Sequence, residues 1–110
     1  MKAYEIVMST AAELDIDELY NFIAIEYKSL LTAKRYSRGL RNTIKSLKRL
    51  AESFQIQTQQ SLQKYGHNVR RANYKKMAVI YTVHDDIVLI RRIIPSALIT
   101  NSIEFIKENL

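Results

Sequence analysis

Residues 77–94, MAVIYTVHDDIVLIRRII, constrain the fold of this chain more than any other stretch. Two β-rich apolar runs flank the turn formers Asp85-Asp86, so they read as an antiparallel hairpin. A strand with one wet face alternates apolar and polar residues. These runs are largely apolar on both faces, which makes them central strands that other layers must cover. The chain has 110 residues and no cysteine, enough length for one core and no disulfide framework to replace it. We therefore expect a single domain over 1–110.

The covering elements follow from periodicity. AYEIVMS (3–9) alternates and reads as a first strand. Ser9 or Thr10 then offers a hydroxyl cap, with Glu13 completing a capping box from Thr10. Glu13, Asp15, Asp17 and Glu18 crowd the first turns, where the helix dipole favours anions. Ile16, Leu19, Tyr20, Ile23 and Tyr27 recur at helical spacing, giving an amphipathic helix that ends near Lys28. A second helix spans 30–54. Its apolar arc is Tyr36, Leu40, Thr43, Ile44, Leu47, Leu50, Ala51 and Phe54. Lys34, Arg38, Arg41, Lys45, Lys48 and Arg49 hold the opposite arc, and apart from Glu52, one turn after Lys48, no acid stands at helical spacing to pair with them. Gly39 interrupts this helix at a cost on the order of 1 kcal/mol relative to alanine. The polar QIQTQQSLQKYGHN (55–68) reads as a connecting segment with Gly66 as a turn residue. Strands follow at 69–74, 77–83 and 87–94, and Pro95-Ser96 stops the sheet. Ile99, Ile103, Ile106 and Leu110 mark a terminal amphipathic helix. The class is α+β: an N-terminal strand, a helix hairpin, a three-stranded antiparallel meander and a C-terminal helix, in the order β-α-α-β-β-β-α.

Charge is segregated along the chain. Between Tyr27 and His84 stand 13 Lys or Arg and one acid, Glu52, whereas the remaining residues carry 4 basic and 10 acidic side chains. A basic middle with acidic ends suggests a surface that meets a polyanion or an acidic protein. The longest apolar run is too short to span a bilayer. Glu5 inside the first apolar stretch argues against a signal peptide. We expect a cytoplasmic protein that engages neither a membrane nor a small-molecule substrate. Without Gly-rich phosphate loops or His-Asp-Glu clusters, neither a cofactor nor a metal is expected.

Four guanidinium groups sit on the sheet, at Arg70-Arg71 and Arg91-Arg92. A regular hairpin centred on Asp85-Asp86 sets residue 91 opposite 80 and residue 92 opposite 79. If Tyr74 and Met77 flank the preceding turn, Arg71 lies near Ile80, on the same side as Arg91. These four arginines, and the Arg71–Arg91 pair above all, are expected to form an anion-binding patch. Alternation sends Arg91 and Arg92 to opposite faces, so one of them is expected to pair with a carboxylate of the first helix, such as Glu18 or Glu26.

Taken together, the first strand, TAAELDIDELYNFI, the basic second helix and VRRANYKKMAVIYTVHDDIVLIRRIIP resemble the RelE/ParE superfamily of bacterial toxins from type II toxin–antitoxin systems. The resemblance runs from about Tyr4 to Pro95. It implies a cytosolic toxin neutralised by a cognate antitoxin. One branch of the superfamily cleaves messenger RNA in the ribosomal A site, and the other inhibits DNA gyrase. The nuclease branch usually carries an arginine just before its VIY-like triplet, and Arg, His or Tyr just after the last strand. Here those places hold Ala78 and IIPSALI.

RNA cleavage through the 2′-hydroxyl needs an acid and a base as well as charge stabilisation. Arginine is a poor proton shuttle, its pKa being above about 12. The acid–base candidates are Lys75, His67 and His84, and the regular register places His84 at the hairpin turn, remote from Arg91 and Arg92. The leading expectation is thus a gyrase-type inhibitor that acts by binding and has no catalytic residue. Its acidic antitoxin would contact Arg38, Arg41, Lys45, Ile99, Ile103 and Ile106. The alternative is a ribosome-dependent messenger-RNA endonuclease using His67, Arg71, Lys75 and Arg91. A plain nucleic-acid-binding module is a third reading. It is disfavoured by the lack of Phe or Trp on the strands for base stacking, although Tyr74 and Tyr81 are present.

Overall fold

The computed structural model describes residues 2–100. Its elements are β1 (Glu5–Met8), α1 (Thr10–Glu26), α2 (Leu30–Leu50), β2 (Arg70–Tyr74), β3 (Met77–His84) and β4 (Ile87–Pro95). Short 3-10 turns occupy Ala51–Ser53, Gln60–Tyr65 and Ser96–Leu98. The expected α+β order is present through β4. The sheet is open, with strand order β1-β4-β3-β2. β2, β3 and β4 form the antiparallel meander, and β1 joins β4 in parallel, Glu5 opposite Ile87 through Met8 opposite Ile90.

Helix boundaries follow local chemistry. Ser9 caps α1, its hydroxyl accepting from the Ala12 backbone N–H at 3.0 Å. With Ser9 as cap, Glu13 falls one place beyond the position that closes a capping box. The anticipated Thr10–Glu13 box does not form, and Glu13 instead reaches Arg41. Ser29 caps α2 in the same way, accepting from Thr32 N–H at 3.1 Å. α2 ends at Leu50, short of the expected Phe54, and tightens into the Ala51–Ser53 turn. That end is pinned from the core, where the buried Tyr81 hydroxyl donates to the Ala51 carbonyl at 2.6 Å. Burial pushes the Tyr81 phenol well above its ordinary pKa, so it stays a donor. Leu50, expected on the apolar arc, is 45% exposed.

Two apolar layers cover the sheet. On one face Ala12 and Ile16 of α1 and Leu40, Ile44 and Leu47 of α2 pack on Ala72, Val79, Tyr81, Val88, Ile90 and Ile93. Burying an aliphatic side chain such as Leu40 or Leu47 is worth about 1.5–3 kcal/mol over leaving it exposed. The other face is covered from within the glutamine-rich segment, which is therefore part of the fold as well as a connector. Leu62 is buried against Val69, Ala78 and Ile80, with Tyr65, Ile94 and Ile99 packed around them. The same segment bridges the edge of β2, pairing Ile56 with Arg70 and donating Gln57 N–H to the Val69 carbonyl at 2.7 Å.

The chain does not turn helical at Ile99, where the apolar spacing places a terminal helix. Ile99 has extended backbone dihedrals after the Ser96–Leu98 turn, and Thr100 exchanges hydrogen bonds with Ser61. A helix beginning at Ile99 is thus excluded. Ile103, Ile106 and Leu110 lie outside the described residues.

Candidate functional site

The anticipated register fails at one point, and the site is built there. From the turn outward, β3 and β4 pair as expected, His84 with Ile87 through Tyr81 with Ile90. The ladder then shifts, and Ile80 faces Arg92 where a regular ladder would place Arg91. Arg91 is the extra residue of a β-bulge, which breaks alternation and lets neighbouring side chains share a face. Arg71 pairs with Ile80 as expected. Its cross-sheet neighbour in that row is thus Arg92, not Arg91.

The four guanidinium groups have separate fates. Arg70 serves the fold, its Nη1 donating to the carbonyls of Glu52 and Phe54 beyond the end of α2. Arg92 meets a carboxylate of α1, as one of the pair was expected to, but the partner is Asp15 and neither Glu18 nor Glu26. Its Nε and Nη2 donate to the two Asp15 oxygens at 2.7 and 2.9 Å. Asp15 also accepts the Ile93 backbone N–H at 2.9 Å. The hydrogen bond to Asp15 holds the Arg92 pKa above its ordinary value. Arg71 is half-buried and makes no side-chain hydrogen bond or ion pair among the described residues.

Arg91 is held differently. Its Nε donates to Thr82 Oγ1 at 3.0 Å, and its Nη2 lies 3.5 Å from His84 Nε2. Thr82 Oγ1 and His84 Nε2 are 2.8 Å apart. The expectation that His84 stands remote from Arg91 is therefore wrong. Thr82 and His84 share a face by alternation on β3, and the long arginine stem spans the distance along the strand. Gly66 closes the group from above, since a Cβ placed there would stand 3.5 Å from Arg91 Nη2 and 3.1 Å from Thr82 Cγ2. Its φ of 140° is one that glycine adopts freely.

The remaining candidates are dispersed. His67 is exposed in the loop after Gly66. Lys75, at φ 53°, occupies the β2–β3 turn with its ammonium 5.5 and 5.6 Å from the ring centres of Tyr36 and Tyr74. It borders a groove of about 500 Å³ lined by Leu19, Phe22, Tyr27 and Tyr36. The alternative catalytic set of His67, Arg71, Lys75 and Arg91 shows no mutual side-chain hydrogen bond among the described residues.

The stripe residues Lys34, Arg38, Arg41, Lys45, Lys48 and Arg49 are all exposed. Arg41 has a partner after all, Glu13 of α1 at 3.3 Å, because packing supplies an acid that helical spacing within α2 does not. Among the described residues no group of three or more His, Cys, Asp or Glu is placed to hold a metal ion. None of the described helices is long and apolar enough to cross a membrane.

Comparison with known proteins gives a consistent picture. A family model described as the ParE toxin of the parDE type II toxin–antitoxin system matches residues 6–97. No curated protein matches the sequence. Among solved structures, a chain of the chromosomal ParDE toxin–antitoxin system from P. aeruginosa is similar at 15% identity and a TM-score of 0.70. The match covers 84% of this chain and 96% of that one, and at this identity it speaks for the fold.

Proposed function

The chain belongs to the ParE toxin family of type II toxin–antitoxin systems, and from that premise we propose that it arrests growth by binding DNA gyrase. On this reading residues 1–110 act as one toxin domain in the cytoplasm, held inactive by a cognate acidic antitoxin. The observation that carries it is Ala78. Where nuclease relatives resemble this chain but carry an arginine, the side chain here is wholly buried among Leu62, Val69 and Ile80. That part of the sheet is an apolar core and has no room for a charged substrate. Inhibition by binding needs no proton transfer, so this construction leaves it intact.

One observation favours the second reading, ribosome-dependent RNA cleavage: His84 stands beside Arg91, an imidazole next to a charge-stabilising group. Its Nε2 is engaged with Thr82 Oγ1, and a second acid–base group is missing from the cluster among the described residues. General acid–base catalysis typically contributes about 10²–10⁴-fold, and one imidazole supplies only part of it.

The purified protein should inhibit gyrase supercoiling and leave messenger RNA uncut on programmed ribosomes, read by primer extension at the A-site codon. Efficient codon-specific cleavage that His84→Ala or His67→Ala abolishes would replace this reading with the nuclease one.

A further inference from the structure

We propose that Arg91, Thr82 and His84 form a receptor for a single carboxylate of an acidic partner chain, on the sheet face turned away from the two helices. The proposal rests on the reading that the partner is an acidic protein. It does not depend on what the toxin attacks.

The geometry separates Arg91 from the other sheet arginines. Arg70 spends its guanidinium on backbone carbonyls and Arg92 on Asp15. Arg91 makes no ion pair among the described residues, yet its guanidinium is fixed. The bond from Nε to the buried Thr82 hydroxyl uses the one N–H on the inner side of the group. Gly66 lies against Nη2, so the side chain is gripped from two sides. Thr82 Oγ1, accepting from Arg91, also shares a hydrogen bond with His84 Nε2 at 2.8 Å. A relay from guanidinium to hydroxyl to imidazole thus orients the arginine before any ligand arrives, which removes ordering cost from binding.

The ligand class follows from what is left over. With Nε on Thr82 and one Nη2 N–H on the side of His84, Nη1 and the second N–H of Nη2 remain, and these parallel N–H groups match the two oxygens of a carboxylate. The cluster carries one fixed positive charge, which balances a monoanion. A phosphate dianion would need a second cation, and Arg92, next in the strand, is already neutralised by Asp15. The bulge sets Arg91 outside the β3–β4 pairing, and Thr82 and Gly66 hold its side chain in place of a cross-strand neighbour.

The test is an NMR titration of the full-length protein, following the Arg91 Nε–H and His84 ring resonances. Hexaglutamate peptide is the probe, with inorganic phosphate and sodium chloride at matched ionic strength as separate arms. Both signals should move saturably with hexaglutamate, at lower concentration than with either salt. Arg91→Gln should weaken the peptide by about tenfold or more. Arg91→Lys, which keeps the charge without the fork, should weaken it as well, so the result does not hang on one variant.

Peptide-induced shifts confined to Arg38 and Lys45 on the helix stripe, with Arg91 and His84 unmoved, would overturn the receptor while leaving an acidic partner in place. Phosphate acting at lower concentration than the peptide would overturn the carboxylate assignment. If no resonance responds beyond the chloride arm, the receptor and the acidic partner both fall.

Discussion

Asp15 receives three donors, from two atoms of Arg92 and from the backbone of Ile93. The backbone bond has a topological cause. β1 pairs with β4 only as far as Ile90, so beyond that residue β4 has no strand beside it on that edge. A backbone N–H left without a partner is costly when shielded from water, and the α1 carboxylate satisfies it. Asp15→Ala should lower stability in urea denaturation by about 1–3 kcal/mol, with the lower end expected because Arg92 is 39% exposed and its pairing is screened by water. A loss smaller than the error of the denaturation fit would remove Asp15 from the fold's supports. That an arginine of the pair meets an acid of the first helix is legible in the sequence. Which acid is not, because helical spacing orders residues around α1 but says nothing of where α1 crosses β4.

Between elements, a tight fit lies at Gly39 in the middle of α2. A Cβ there would lie 2.0 Å from the Tyr74 hydroxyl and 2.4 Å from the ring carbon bearing it. The glycine that periodicity reads as a weak point of the helix is the place where β2 lays a phenol against the helix backbone. Tyr36 meets the same ring edge-on, with centroids 5.1 Å apart. Gly39→Ala should therefore destabilise by about 1–3 kcal/mol through overpacking, although helix propensity alone predicts a gain of about 1 kcal/mol. Adding Tyr74→Ala should make the two changes non-additive, with the alanine at 39 less harmful than in the parent. Strictly additive effects in thermal or urea melts would refute the contact.

At this scale the helices and the meander are readable from 3.6-residue and two-residue periods. The parallel β1–β4 pairing is not, since a four-residue strand carries no mark of its neighbour. The bulge is equally silent, because Ile-Arg-Arg-Ile contains no glycine to announce it. The cover given by Leu62 is hidden in a segment whose composition is polar.

Over the whole molecule, charge is arranged by surface. The exposed cations of α2 point away from the core, and among the described residues Arg41 is the only one of the six stripe residues that forms an ion pair. A field of this kind raises encounter rates with an oppositely charged chain more than it adds affinity. Reversing Arg38, Arg41 and Lys45 to glutamate should slow association with the acidic antitoxin proposed above at low salt, in stopped-flow or surface binding. The difference should shrink as ionic strength rises and the Debye length falls towards about 3 Å at 1 M. An unchanged association rate at low salt would take the stripe out of the encounter.

The bulge has a consequence for how such a molecule can change over time. On either side of Arg91, Ile90 pairs with Tyr81 and Arg92 with Ile80, adjacent residues on β3. Excising Arg91 would therefore leave the β3–β4 register in step, with Ile90 and Ile93 still facing the helices. A toxin and the protein that restrains it must be altered together, and most positions on a central strand resist alteration because the core depends on them. The carboxylate receptor proposed for Arg91 would ride on the sheet as a supernumerary, open to revision without rewriting the fold.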